Sequence, residues 1–334
     1  MNSFERVYAR LQGKPVDKIP NLNIFMSFVA KMAGVSYREY VTDYRRLVEG
    51  NLRCAERFGI DAVSAISDPM REASAFGAAL VFPENGVPYS EPDLLCDSLD
   101  PAKLEITDPY DSPRTLDRIR AVESLRREVG HEYPVIGWVE GVLAETADLR
   151  GVNKLLMDLI DEPPELPELM DSVFRQQCRF AKAQIDAGAD IIGIGNAVAS
   201  LVGPVLYEKY ALKYDKAIVE YIHQCGAKVK LHICGNTAPL LDLLTQVGAD
   251  ILDIDWMVDF GAAVETFRGK PTCINGNMDP VAVMLQGDAA TVREKVLDCV
   301  NKADEKTFIS AGCEVPGAAP EENLVLMDSL LYVQ

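Results

Sequence analysis

This chain of 334 residues is poor in histidine, tryptophan and positive charge. It has three histidines, two tryptophans, and 33 Lys and Arg against 51 Asp and Glu, a formal net charge of -18. A surface of that sign repels phosphate backbones, which argues against nucleic acid as a partner. No run approaches the ~20 consecutive apolar residues that a membrane-spanning helix needs. The opening, Met1 to Arg6, lacks the basic and apolar regions of a secretory signal. A cytoplasmic protein with no membrane partner is therefore expected. Eight cysteines without such a signal read as thiols or ligands rather than a disulfide framework. No Gly-x-Gly-x-x-Gly follows the first expected strand, so the fingerprint of a dinucleotide fold is missing. Gly193-Ile194-Gly195 sits within a strand and has no third glycine in place.

What the chain does have is a regular alternation of strands and helices. A short amphipathic helix, Phe4 to Gly13, precedes a strand at Asn21 to Ser27. A helical region from Tyr37 to Phe58 leads to a second strand, Asp61 to Pro69. The stretch 72–92 has weak periodicity and reads as an excursion over the top of the domain. Further strands are expected at Tyr133–Gly141, Asp190–Asn196, Lys228–Gly235, Asp250–Trp256, Thr272–Asn277 and Phe308–Cys313. Helices separate them, several ending at a glycine in the manner of a C-cap. Ala187-Gly188-Ala189-Asp190 and Val247-Gly248-Ala249-Asp250 mark repeated helix-to-strand turns. Eight strands, nearly every one followed by helix, predict an α/β fold, a (β/α)8 TIM barrel. No linker divides the chain, so a single domain over residues 1–334 is expected, with an N-terminal helical extension.

In such a barrel the C-terminal strand ends carry the chemistry. His232 and Cys234 lie two apart on one strand and so share a face. Gly235 then allows a sharp turn. Cys313 ends the last strand at the same mouth. His, Cys and Cys with an open position is a ligand set used for catalytic zinc. Asp255 has two readings, a labile fourth ligand or the acceptor that fixes the tautomer of His232. Lys230 and Asp253 are placed to form a buried ion pair below the metal. His131 and His223 fall away from the mouth. Cys54, Cys96, Cys178, Cys225 and Cys299 read as packing thiols, and Cys273 begins its strand at the wrong end.

Three patches carry a resemblance over nearly the full length. They are Ile66-Ser67-Asp68 with the Pro/Gly excursion, Leu252-Asp253-Ile254-Asp255-Trp256-Met257-Val258-Asp259, and Ile274-Asn275-Gly276-Asn277-Met278-Asp279-Pro280. They resemble the uroporphyrinogen decarboxylase superfamily. Within it, His232-x-Cys234 and Cys313 are similar to the zinc motif of the methylcobamide:coenzyme M methyltransferases. The resemblance implies methyl transfer between a corrinoid protein and a small nucleophile such as a coenzyme M-like thiol, with zinc holding the thiolate. Tetrahydrofolate, or a methoxylated or methylamine donor, stays open as the second substrate.

The chain departs from the decarboxylases in two places. Their arginine-rich segment after the first strand is here Phe25 to Gly34, with Lys31 alone, and Cys313 stands where they have histidine. Asp68 matches the aspartate that holds pyrrole nitrogens in the decarboxylases and keeps decarboxylation as an alternative. Asp68 and Asp255 are the candidate catalytic carboxylates. Met26, Trp256 and Asn277 are the candidates to face the corrinoid, with Phe28 and Met257 beside them. A monomer or homodimer is expected.

Overall fold

The computed structural model describes residues 1–333. Its centre is a curled parallel sheet of seven strands in the order β1-β4-β5-β6-β7-β8-β9. These are β1 Val63–Ser64, β4 Val135–Glu140, β5 Ile191–Gly195, β6 Lys228–Ile233, β7 Ile251–Ile254, β8 Cys273–Met278 and β9 Thr307–Ala311. The remaining pair, β2 Leu80–Val81 and β3 Tyr89–Ser90, is an antiparallel hairpin outside the barrel. Helices such as Leu166–Asp186, Leu212–Gln224 and Ala289–Lys302 cover the sheet. Strands with both faces covered read as near-continuous apolar runs, and β5, β7, β8 and β9 are buried throughout.

The eighth stave differs from the strand expected at Asn21 to Ser27. The segment from Pro20 to Phe25 lies between β9 and β1, and its bonds divide between side chains and backbone. Pro20 has no N–H to give. Asn21 N–H donates to Asp61 Oδ2 at 2.8 Å, and Asn23 N–H to Asn21 Oδ1 at 3.1 Å. On the β9 side Asn23 Oδ1 accepts from Ala311 N–H at 2.7 Å. The carbonyls of Pro20, Asn21 and Ile24 accept from Ile309, Asp61 and Val315. Ser27 then opens a helix, Ser27–Ala33, instead of ending a strand.

The repeated Gly-Ala-Asp turns have a common use. Gly188 and Gly248 take positive φ of 111° and 83°, which favours glycine. The aspartate that follows each accepts a backbone N–H at the start of the neighbouring strand. Asp190 Oδ2 takes Val135 N–H and Asp250 Oδ2 takes Val229 N–H, both at 2.8 Å. These clamps set strand register at the lower end of the barrel.

The stretch read as an excursion at 72–92 holds more structure than its periodicity suggests. It begins inside a buried helix, Met70–Ala75, and continues into the β2–β3 hairpin. The helix was illegible because the residues it buries include Arg71 and Glu72, so the apolar spacing that betrays a helix is absent.

Candidate metal centre and mouth pocket

Strand β6 carries Lys230 and His232 on its inner face, and β7 carries Asp253 opposite them. Lys230 Nζ pairs with Asp253 Oδ2, as the parity of the strands predicts. Both side chains are almost wholly buried. The same carboxylate meets His232 Nδ1 at 3.2 Å, and its other oxygen takes Asn275 Nδ2 at 2.8 Å. Asn275 Oδ1 in turn accepts from Ser310 Oγ at 2.8 Å. One hydrogen-bonded line thus crosses β6, β7, β8 and β9 under the mouth. It orients the His232 ring: Nδ1–H donates to Asp253, and Nε2 faces upward.

Above that line, His232 Nε2 lies 3.8 Å from Cys313 Sγ. Ligand atoms of His232, Cys234 and Cys313 all fall within 4.8 Å of one another. Among the described residues no other group of His, Cys, Asp and Glu meets in this way. Zinc bonds of about 2.0 Å to nitrogen and about 2.3 Å to sulfur, at a tetrahedral angle, place N and S roughly 3.5 Å apart. The observed spacing and the soft donor set both fit. Burial works against charging His232, yet its hydrogen bonds to Asp253 and Cys313 lift it to about 9. The two thiols are unequal. The hydrogen bond between them lowers Cys234, while the same bond and then burial push Cys313 up to about 12. A metal ion would displace these protons.

Asp255 does not take the role of His232 partner, which belongs to Asp253. Strand alternation would carry Asp255 to the same face as Asp253, but β7 ends at Ile254 and the alternation stops before Asp255. Its carboxylate instead accepts Gly235 N–H at 2.9 Å and Met257 N–H at 3.2 Å. It lies outside the group of converging ligand atoms and holds the turn that follows Cys234. Asn277 is likewise turned to structure. Its Nδ2 donates to the carbonyls of Asp255 at 3.0 Å and Val258 at 2.6 Å. Trp256 stands half exposed on the rim beside Met257.

A pocket of about 180 Å3 opens directly over the cluster. His232, Cys234 and Cys313 line it with Met26, Ile24, Ile66, Asp68, Trp138, Glu140, Asn196 and Glu314. Of the residues expected to face a corrinoid, Met26 is there, and Trp256 and Asn277 are not. Trp138 and Glu140 on β4 were not foreseen. They were hidden in a strand that reads as apolar up to its last residue. The signal that marks them is the pair of glycines across the sheet. Trp138 is in register with Gly193, and Glu140 with Gly195. A Cβ on Gly193 would run into the indole, and one on Gly195 would sit 2.7 Å from Glu140 Oε2. Gly193-Ile194-Gly195 thus makes room for two pocket side chains.

The far wall of the pocket is ionic. Asp68 is buried and holds Arg114 Nη2 through both oxygens, at 2.6 and 2.5 Å. Although burial opposes its charge, Arg114 and Arg71 keep its carboxyl below the ordinary value. Arg71, fully buried, donates to Glu140 Oε1 at 3.0 Å and lies 3.6 Å from Glu72 Oε2. Burial raises Glu140 to about 7 against the pull of Arg71, with Glu72 adding to the rise. Glu145, on the helix Val142–Arg150, is buried with neither carboxylate oxygen hydrogen-bonded. Burial and the neighbouring Glu72 hold it well above the usual carboxylate range.

The methylcobamide:CoM methyltransferase MtbA of Methanosarcina mazei is 29% identical over 97% of this chain and 95% of its own. The uroporphyrinogen decarboxylase of Carboxydothermus hydrogenoformans is 26% identical over 83% of this chain and 79% of its own. A solved structure described as a methyltransferase from Methanosarcina mazei superposes with a TM-score of 0.89 at 22% identity. It covers 99% of this chain and 98% of that one. It shares the barrel fold. The family model described as Uroporphyrinogen decarboxylase (URO-D) matches residues 2–330. The chain belongs to the uroporphyrinogen decarboxylase family and resembles its methylcobamide:CoM methyltransferase branch.

Proposed function

We propose that this enzyme, a methyltransferase, moves a methyl group between a methylcobamide carried on a corrinoid protein and a small nucleophile, with zinc held by His232, Cys234 and Cys313. The observation that carries this reading is the convergence of one imidazole nitrogen and two thiol sulfurs at the mouth of the barrel. Bound there, zinc supplies the charge that keeps a thiol deprotonated at neutral pH. The rest is done by the chain. Asp253, itself held by Lys230 and Asn275, aims the Nε2 lone pair of His232 out of the floor. Asp255 fixes the turn at Gly235 and so the direction of Cys234. Asn277 steadies the loop that bears Asp255. Met26 and Trp138 keep water from the space where the methyl group travels. Trp256 and Met257 give the rim an apolar edge for an incoming corrinoid.

In the transfer to a thiol, the carbon–cobalt bond breaks and cobalt keeps its electron pair. The carbon–sulfur bond forms, and the thiol proton leaves to solvent. Decarboxylation of uroporphyrinogen is the less favoured reading. Asp68, which would hold pyrrole nitrogens, is occupied by Arg114, and Lys31 lies over the Phe28 ring at 4.9 Å.

Purified protein should contain one equivalent of zinc and should convert methylcobalamin to cob(I)alamin anaerobically when given a small thiol or tetrahydrofolate. Cys234→Ser should lose the metal and the reaction together. Metal analysis and cobalamin absorbance read both. Full zinc occupancy in the variant would remove the ligand assignment. No zinc-dependent demethylation, even of a cognate corrinoid protein, would remove the function.

A further inference from the structure

The pocket over the cluster has a chemical bias that narrows the small substrate. Asp68, Glu140 and Glu314 line it, and no lysine or arginine does. Asp68 is neutralised by Arg114. Glu140 shares Arg71 with Glu72, so a single guanidinium faces two carboxylates. Glu314 has no cation; its Oε1 accepts from Ser27 N–H and Oγ, at 2.7 and 2.8 Å. Asn196 is fully buried and lines the same wall. Its Nδ2 donates to Asp215, which leaves Oδ1 with no hydrogen-bond partner. Trp138 adds an indole to the lining, its ring centroid 6.3 Å from that of His232. The wall is therefore rich in acceptors, without a cation of its own, and aromatic.

A sulfonate or carboxylate entering this wall would lose its water and meet carboxylates, with no lysine or arginine in exchange. An ammonium group would find Glu140 and Glu314 as charge partners, Asn196 Oδ1 as an acceptor, and an indole face for the cation. Resting on the methyltransferase reading above, we infer that the methyl acceptor is an aminothiol, with its sulfur at His232, Cys234 and Cys313 and its ammonium end against Glu140. The balance of the step is unchanged: the methyl group joins sulfur, cobalt keeps the electron pair, and the thiol proton leaves. A cation in this corner would also return Glu140, raised to about 7 by burial, to its charged form.

Three thiols of equal chain length test the charge preference: 2-aminoethanethiol, 2-mercaptoethanol and 2-mercaptoethanesulfonate. With the zinc protein and methylcobalamin, kcat/KM should fall in that order, by about tenfold for each change of one charge. Intrinsic thiol reactivity cancels when the ratio of aminothiol to sulfonate is compared between native protein and Glu140→Gln. That ratio should shrink about tenfold in the variant, and Glu314→Gln should move it the same way. Calorimetric titration with the S-methylated products of the aminothiol and the sulfonate reads the same preference without turnover. A preference for the sulfonate, or a ratio untouched by both variants, overturns the aminothiol assignment and leaves the methyltransferase intact. If no thiol demethylates methylcobalamin or a corrinoid protein, the methyltransferase reading falls, and the titration still decides whether the pocket selects a cation.

Discussion

The two sides of the barrel mouth are built on opposite principles. On the β6–β9 side, Lys230, Asp253, His232, Asn275 and Ser310 form a line in which each buried group has its partner. On the β1–β5 side, Glu72, Glu145 and Asn196 keep buried oxygens with no hydrogen bond. A satisfied network in low dielectric is stiff and holds its atoms in one geometry. That suits ligands that must meet a metal. Unsatisfied acceptors cost stability, and such groups persist where a ligand completes them. One side of the mouth is finished by the fold; on the other, Asn196 alone of these three lines the pocket, where a substrate can reach it.

The contrast breaks most severely at Asp253. Asp253→Asn would leave Lys230 charged, buried and unpaired, which costs about 3–5 kcal/mol. It would also free the His232 ring and weaken zinc binding by about 10- to 100-fold. Urea unfolding and a competitive zinc chelator measure the two losses. The Lys230→Met, Asp253→Leu double variant should regain stability and not zinc, which separates packing from ligand positioning.

A smaller effect sharpens the view of the acidic side. The folded-state carboxyl of Asp68 is held below its ordinary 3.8. Its contribution to stability is therefore fully present above that value and is lost as pH falls through the folded value. The stability difference between native protein and Asp68→Asn should be constant from about pH 5 to 7 and shrink below about pH 4. A difference that grows on acidification would contradict the Arg114 pairing.

The smallest change should have the opposite sign. Glu145→Met removes two buried oxygens that have no partner and should stabilise the protein by about 1–3 kcal/mol. Thermal unfolding checks it. Destabilisation would show that Glu145 is satisfied after all, and the contrast between the two sides would narrow.

The metal side was largely legible in the chain, and the acidic side was not. Strand alternation put His232 and Cys234 on one face, and repeated βα units brought Cys313 to the same mouth. Parity alone paired Lys230 with Asp253. It failed two residues later, because alternation holds only while a strand lasts and β7 stops at Ile254. The acidic side depends on Arg71 and Glu72, in a helix that buries charge, and on Glu140, at the end of an apolar strand. Neither pattern differs from ordinary loop or core in sequence. Gly193 and Gly195 did mark the place, but their meaning needed the cross-strand register to Trp138 and Glu140.

The stave between β9 and β1 gives the barrel a seam. Elsewhere the staves are joined by backbone ladders, which form with almost any side chain. Here the amides of Asn21 and Asn23 are taken by Asp61 and Asn21, and Ala311 is anchored on the Asn23 amide group. Asp61 also gathers Arg6 and Lys18, at 2.6 and 3.1 Å. Side chains carry half of this joint, so point mutation can loosen it without touching a strand. It is where the closed ring should first come apart on heating, and hydrogen exchange at the Asn21, Asn23 and Ala311 amides would report the opening ahead of the β4–β8 ladders.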